Sequence, residues 1–314
     1  MLIAAIIIAV LIILILALAY IMFNICCART PTPLIKFIIK NSMSGELDLG
    51  EDSKRGAEMW NNSDLEEVCL ESRDGVKLYG YYRKHPNAKR AIILVHGYRM
   101  SALPTFAAVL PYYIEDECDI LLIDQRTSGK STGKYITFGI TERYDAQLWT
   151  NWMCEKRPDL PVYLDGISMG AATVLAASEF TFPKNFAGII ADSGYTTPKE
   201  IVRHVISSYI PFPSAPLLAL IAMMFRIVTG HPMDSMDCRI SAAKSKYPIF
   251  FIHGKMDRFV PYTMCEENYA ACTSEKSVFY SETAEHGMSF MADKDALLQH
   301  IRGFFANNDK LTEV

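Results

Sequence analysis

From Glu66 onward, short apolar runs alternate with longer stretches of mixed character. The first two runs, Val68 to Leu70 and Val76 to Tyr82, flank Arg73-Asp74-Gly75, and Asp-Gly between such runs predicts a hairpin. The later runs are Ala91 to Val95, Ile120 to Ile123, Val162 to Leu164, Ala187 to Ala191, Ile249 to Ile252 and Val278 to Tyr280. These are continuous rather than alternating, which is how strands buried on both faces read. Between them, Pro104 to Tyr113, Glu142 to Glu155, Gly170 to Phe180, Pro261 to Cys272 and Ser289 to Asn307 predict helices. An opening hairpin followed by β–α units predicts an α/β fold, a mostly parallel sheet flanked by helices with one antiparallel edge. The rhythm breaks once. Roughly fifty-five residues separate Ala191 from Pro248, too many for a plain crossover, so a helical cap insertion is expected at about 194–247.

The amino-terminal pattern is of another kind. Met1 to Phe23 is apolar throughout, and the first charged side chain is Arg29. At about 1.5 Å per residue this run exceeds the roughly 30 Å hydrocarbon core, so 1–28 is expected to be a transmembrane anchor. Ala17-Leu18-Ala19 resembles a signal-peptidase site, but the run lacks a basic start and is too long for a signal core. Arg29, Lys36 and Lys40 follow the span, so the positive-inside rule puts the remainder in the cytoplasm. Cys26 and Cys27, at the end of the span, read as small apolar residues in preference to a palmitoylated pair. Pro31 and Pro33 break any helix beyond it, and 29–60 reads as a linker.

Composition narrows the function classes. A formal charge of −4 over 314 residues, with no basic run, gives no reason to expect a nucleic-acid partner. Eight cysteines lack any C-x-x-C pair, which argues against a zinc ribbon or a thioredoxin-like site and for free thiols in a reducing compartment.

The chemistry concentrates where strands end. Gly166-Ile167-Ser168-Met169-Gly170 lies between a strand and an Ala-rich helix, the context in which G-x-S-x-G carries a nucleophile. The turn must be tight, so Gly166 and Gly170 keep side chains out of the way. The Ser168 hydroxyl then stands at a helix amino terminus, where a developing anion is favoured. A serine needs a base, and the base a carboxylate. His286 lies after the last strand and before the last helix, and Asp257 follows the preceding strand by a short loop. Asp192 is the rival acid. His253 is expected to support a turn, and His85, His204, His231 and His300 to lie on the surface. The oxyanion donors are expected to be the backbone N–H groups of Met169 and of Tyr98, after His96-Gly97, with Gly97 allowing close approach. Asp124 and Arg126 read as braces between loops, since no phosphate-binding pattern accompanies them.

Taken together, His96-Gly97-Tyr98, Asp124 to Ser131, Gly166 to Gly170, Ile252-His253-Gly254 with Asp257, and His286-Gly287 resemble the serine α/β-hydrolases with a serine-aminopeptidase-like domain. The resemblance covers about 66–306. It implies an α/β-hydrolase fold over 61–308, no cofactor and no metal, and acyl transfer to water. The reading that follows is a carboxylesterase or lipase-like enzyme taking a small-molecule acyl ester or lipid. A peptidase or aminopeptidase, a thioesterase, and a membrane-anchored binding protein on a hydrolase scaffold are the alternatives.

Overall fold

The fold is that of a computed structural model describing residues 2–30, 33, 36, 50–210 and 213–309. Each apolar run named above becomes a strand: β1 (Glu66–Glu71), β2 (Lys77–Arg83), β3 (Arg90–Val95), β4 (Cys118–Asp124), β5 (Val162–Ile167), β6 (Phe186–Asp192), β7 (Ile249–Gly254) and β8 (Lys276–Ser281). They form one sheet in the order β1-β2-β4-β3-β5-β6-β7-β8. Pairing is antiparallel from β1 to β2 and from β2 to β4, and parallel from there on. The Asp74-Gly75 turn closes the hairpin, with Gly75 at φ +76°.

Burial follows the pattern that predicted it. β3, β4 and β7 are buried at every position, whereas β2, near the edge, alternates. Along β3 the side chains divide between two cores: Ile93 and Val95 face one, Ile92 and Leu94 the other. The first core includes Trp149 from α5 (Glu142–Lys156) and most of α6 (Met169–Ala177). The second includes Tyr113 from α4 (Leu110–Glu115) and Phe304 and Phe305 from α12 (Lys294–Asn308).

Two expected helices are broken. Pro104 to Tyr113 becomes α3 (Ala102–Phe106) followed by α4. Pro111 has no N–H to give the Ala107 carbonyl, which instead faces Gly56 of α2 (Gly50–Asn61). A Cβ on Gly56 would lie 1.8 Å from that oxygen. Ser289 to Asn307 likewise divides into α11 (Ser289–Ala292) and α12. α2 itself corrects the linker assignment over 29–60. Ser53, Gly56 and Trp60 form its buried stripe, of which only Trp60 is a large hydrophobic side chain. The remainder of that segment, 29–49, lies largely outside the described residues.

Between β6 and β7 lie α7 (Pro198–Tyr209), α8 (Ser214–Thr229) and α9 (Cys238–Lys244). α10 (Tyr262–Ala271) follows β7. The amino-terminal segment is α1 (Leu2–Cys27), the one helix among the described residues long and apolar enough to cross a membrane. Its first part is exposed all round, but Ala19, Phe23 and Cys27, one turn apart, are buried and α1 packs along α8. The Phe23 ring lies 4.9 Å from Tyr135 and 6.2 Å from Phe225 of α8. Just beyond the helix, Arg29 donates to the carbonyls of Gly129 (2.6 Å) and Ser131 (2.7 Å).

Candidate active site

Ser168 sits between β5 and α6 with φ +60° and ψ −118°, a conformation that side-chain-bearing residues rarely adopt. The two flanking glycines are there because nothing larger fits. A Cβ on Gly166 would lie 2.4 Å from the Gly170 carbonyl, and one on Gly170 would lie 1.9 Å from the Val95 carbonyl. The Ser168 N–H donates to Asp192 O (2.8 Å), which ties the turn to the end of β6.

Ser168, His286 and Asp257, 118 and 29 residues apart in sequence, form one hydrogen-bonded line. The Asp257 carboxylate can only accept, so His286 Nδ1 carries the proton and donates to Oδ2 at 2.6 Å. Nε2 is then the acceptor for the Ser168 hydroxyl at 2.8 Å. Asp257 is itself held by the backbone N–H groups of Phe259 (2.9 Å) and Val260 (2.8 Å), both given to Oδ1. Burial pushes its pKa up, but the nearby His286 and the hydrogen bonds from His253 and His286 outweigh this and hold it well below the usual range. For His286 burial pulls the pKa down, and the Asp257 charge and hydrogen bond raise it by more. The Phe259 ring packs edge-on to the imidazole at 5.0 Å.

The rival acid is placed differently. Asp192 accepts from its neighbour Ser193 (2.9 Å), and burial pushes its carboxyl up to about 6. His253 is fully buried in the same region, its Nε2–H donating to the Val260 carbonyl at 2.9 Å and standing 3.2 Å from Asp257 Oδ2. It thus closes the turn that carries Asp257.

His96 has a related task on the opposite side. Its Nε2 accepts the Gln125 backbone N–H (3.0 Å), so the ring proton is on Nδ1, which donates to the Gly97 carbonyl (2.8 Å). Burial pushes its pKa down, in keeping with a neutral ring. The Gly97 carbonyl and the Tyr98 N–H share one rigid peptide plane, so fixing the first aims the second. Neither the Tyr98 nor the Met169 N–H donates to another group among the described residues. A Cβ on Gly97 would lie 3.3 Å from the Ser168 Cβ, so this loop passes directly against the serine.

Asp124 accepts the Lys130 N–H (3.0 Å) across the turn that Gly129 makes at φ +49°. Arg126 grips Asp145 with two bonds (2.6 and 2.7 Å) and also reaches Asp74 (2.9 Å). Both therefore tie loops together at a distance from the serine. Among the described residues no His, Cys, Asp and Glu side chains converge as a metal-ligand set.

An apolar pocket opens beside Ser168. Tyr98 and Met169 line it, with Ile201, Val205 and Ile206 of α7 and Ile221 of α8. Met22, Ile25 and Cys26 of α1 line it as well. The Tyr98 ring stacks on Phe138 at 5.5 Å, and its hydroxyl donates to the Cys26 carbonyl at 2.6 Å. Arg99, at φ +54°, donates to Tyr98 Oη (2.7 Å) and to the Ile25 carbonyl (3.1 Å). That places a cation at the carboxyl end of α1, where it is favoured. Sequence reasoning missed Arg99, since a lone arginine after a glycine loop carries no periodic signal.

Residues 86–223 match the family model described as serine aminopeptidase, S33. Solved structures of the same architecture include the Pyrococcus furiosus esterase Pf2001, with a TM-score of 0.64 at 20% identity over 79% of this chain and 94% of that one. The chain has the α/β-hydrolase fold. A second hydrolase of like fold is the esterase EaEST of Exiguobacterium antarcticum, with a TM-score of 0.57 at 16% identity, covering 77% of this chain and all of that one. Among curated proteins, the uncharacterized protein YqkD of Bacillus subtilis is 24% identical over 285 residues, 89% of this chain and 92% of its relative.

Proposed function

We propose that this hydrolase cleaves carboxylic esters with medium or long acyl chains, using Ser168 as nucleophile, His286 as general base and Asp257 as its orienting acid. The observation that carries the reading is the Ser168–His286–Asp257 line ending at the mouth of an apolar pocket. Ser168 Oγ attacks the acyl carbon as Nε2 of His286 takes its proton, and Asp257 stabilises the imidazolium that results. The Tyr98 and Met169 N–H groups receive the oxyanion. Collapse of the tetrahedral species expels the alcohol, which leaves with the proton from His286. A water activated by the same imidazole then releases the acid.

An aminopeptidase would need a carboxylate to hold the substrate's free amine, and no acidic side chain lines the pocket among the described residues. We read α1 as a retained single-pass anchor, with Arg29, Lys36 and Lys40 favouring a cytoplasmic domain. Helices α7 to α9 are the cap.

The test is labelling by a fluorophosphonate. Wild type should be modified at Ser168, Ser168→Ala should not, and a panel of ester, thioester and peptide substrates should show turnover concentrated on esters. Folded wild-type protein that resists the reagent would leave only the binding-scaffold reading standing.

A further inference from the structure

We infer that α1 is part of the active site: its last two turns wall the acyl pocket, and the acyl chain of a bilayer-borne ester reaches Ser168 between α1 and the α7–α8 pair without crossing water. This rests on the ester-hydrolase reading above.

Three observations lead there. The first is the pocket's composition. Met22, Ile25 and Cys26 of α1 share a single cavity with Ser168 and Met169, so removing the helix would open one side of it. The second is how firmly the helix is held. Ala19, Phe23 and Cys27 are fully buried, and the Tyr98 hydroxyl and Arg99 guanidinium bind the carbonyls of Ile25 and Cys26. Tyr98 also supplies a proposed oxyanion N–H, so one residue touches both the membrane helix and the reacting oxygen.

The third is depth. Residues 2–18 are exposed all round. Those seventeen residues reach about 26 Å, short of the roughly 30 Å hydrocarbon core. The missing few ångströms fall on Ala19 to Ile21, the turn that begins to dock on the domain. A spanning α1 therefore draws the domain onto the bilayer, with Met22 at the level of the headgroup boundary. α8 runs beside it and is too short to span, yet it exposes Met223 and Ile227. An apolar path thus continues from lipid, along α1 and α8, to the serine.

The experiment uses the full chain in nanodiscs. A fluorophosphonate bearing a long alkyl chain with a mid-chain diazirine is allowed to label Ser168, irradiated, and its cross-links mapped by mass spectrometry. Cross-links within 22–26 are expected. Labelling of Ser168 with cross-links confined to α7 and α8 would overturn the assignment of α1 while leaving the hydrolase intact, whereas no labelling would overturn both. The route has its own variant. Ile227→Glu, outside the pocket, should slow turnover of a long-chain ester held in the same bilayer at least fivefold and keep a water-soluble short-chain ester within twofold. Unchanged turnover of the bilayer ester, or an equal loss on both substrates, would rule out entry along α8.

Discussion

Replacing Asp257 with asparagine alters one atom and tests the whole relay. In the wild type Oδ1 holds the Phe259 and Val260 N–H groups while Oδ2 takes the His286 Nδ1 proton. The asparagine carbonyl must stay on the two backbone donors, because a turned amide would set its own N–H groups against them. Its nitrogen then faces His286 and donates, which makes Nδ1 an acceptor and shifts the ring proton to Nε2. A protonated Nε2 cannot take the Ser168 proton. The wrong tautomer of such a base is worth about 10⁴ in rate, or about 5 kcal/mol of barrier. The assay is kcat/KM for a soluble short-chain nitrophenyl ester at pH 8, with the thermal midpoint confirming an intact fold. Asp192→Asn is the control. Its carboxylate bonds Ser193 rather than the imidazole, so less than a tenfold loss is expected. An Asp257→Asn enzyme retaining more than a tenth of wild-type activity, beside an Asp192→Asn enzyme reduced a thousandfold, would transfer the acid role to Asp192 and refute the argument.

Other outcomes follow from the same geometry. With His286 as the proposed general base, active only when neutral, and with its pKa raised above the ordinary 6.5, kcat/KM should fall as pH drops, with the midpoint of the acid limb above 6.5; a midpoint below 6 contradicts this. Arg126→Ala leaves the buried Asp145 carboxylate without its partner, and burial already pushes that group up to about 6. Urea denaturation should register a loss of about 3–5 kcal/mol, and a change under about 1 kcal/mol would show the pair to be dispensable. Gly170→Ala should yield insoluble or unlabelled protein, since its Cβ would overlap the Val95 carbonyl. Gly303→Ala, in α12 with open space around it, should instead stabilise by about 0.5–1 kcal/mol; soluble, active Gly170→Ala enzyme would contradict the packing described.

The sheet was legible because a strand buried on both faces has to be apolar along its length, as β3, β4 and β7 are. Ser168, Asp257 and His286 stood out for a related reason: each follows a strand whose end opens on the same rim. α2 was not legible, because it packs through Gly56 and Ser53, whose contribution is the absence of bulk rather than hydrophobicity. The break between α3 and α4 could have been read from Pro111, had the carbonyl it leaves unpaired been considered. The packing of α1 was hidden for the opposite reason. When every residue is apolar no face stands out, so nothing in the pattern distinguishes Ala19 and Phe23, which meet protein, from Leu18 and Ile21, which do not.

The close passage of Gly170 against the Val95 carbonyl has an evolutionary consequence. Strand end and serine turn are interlocked with no slack, so neither can drift to suit a new substrate without dislodging the other. Adaptation is left to whatever borders the cavity from outside the sheet. Diversification of such enzymes should therefore be written in the helices above the serine, with the turn beneath carried unchanged from one specificity to the next.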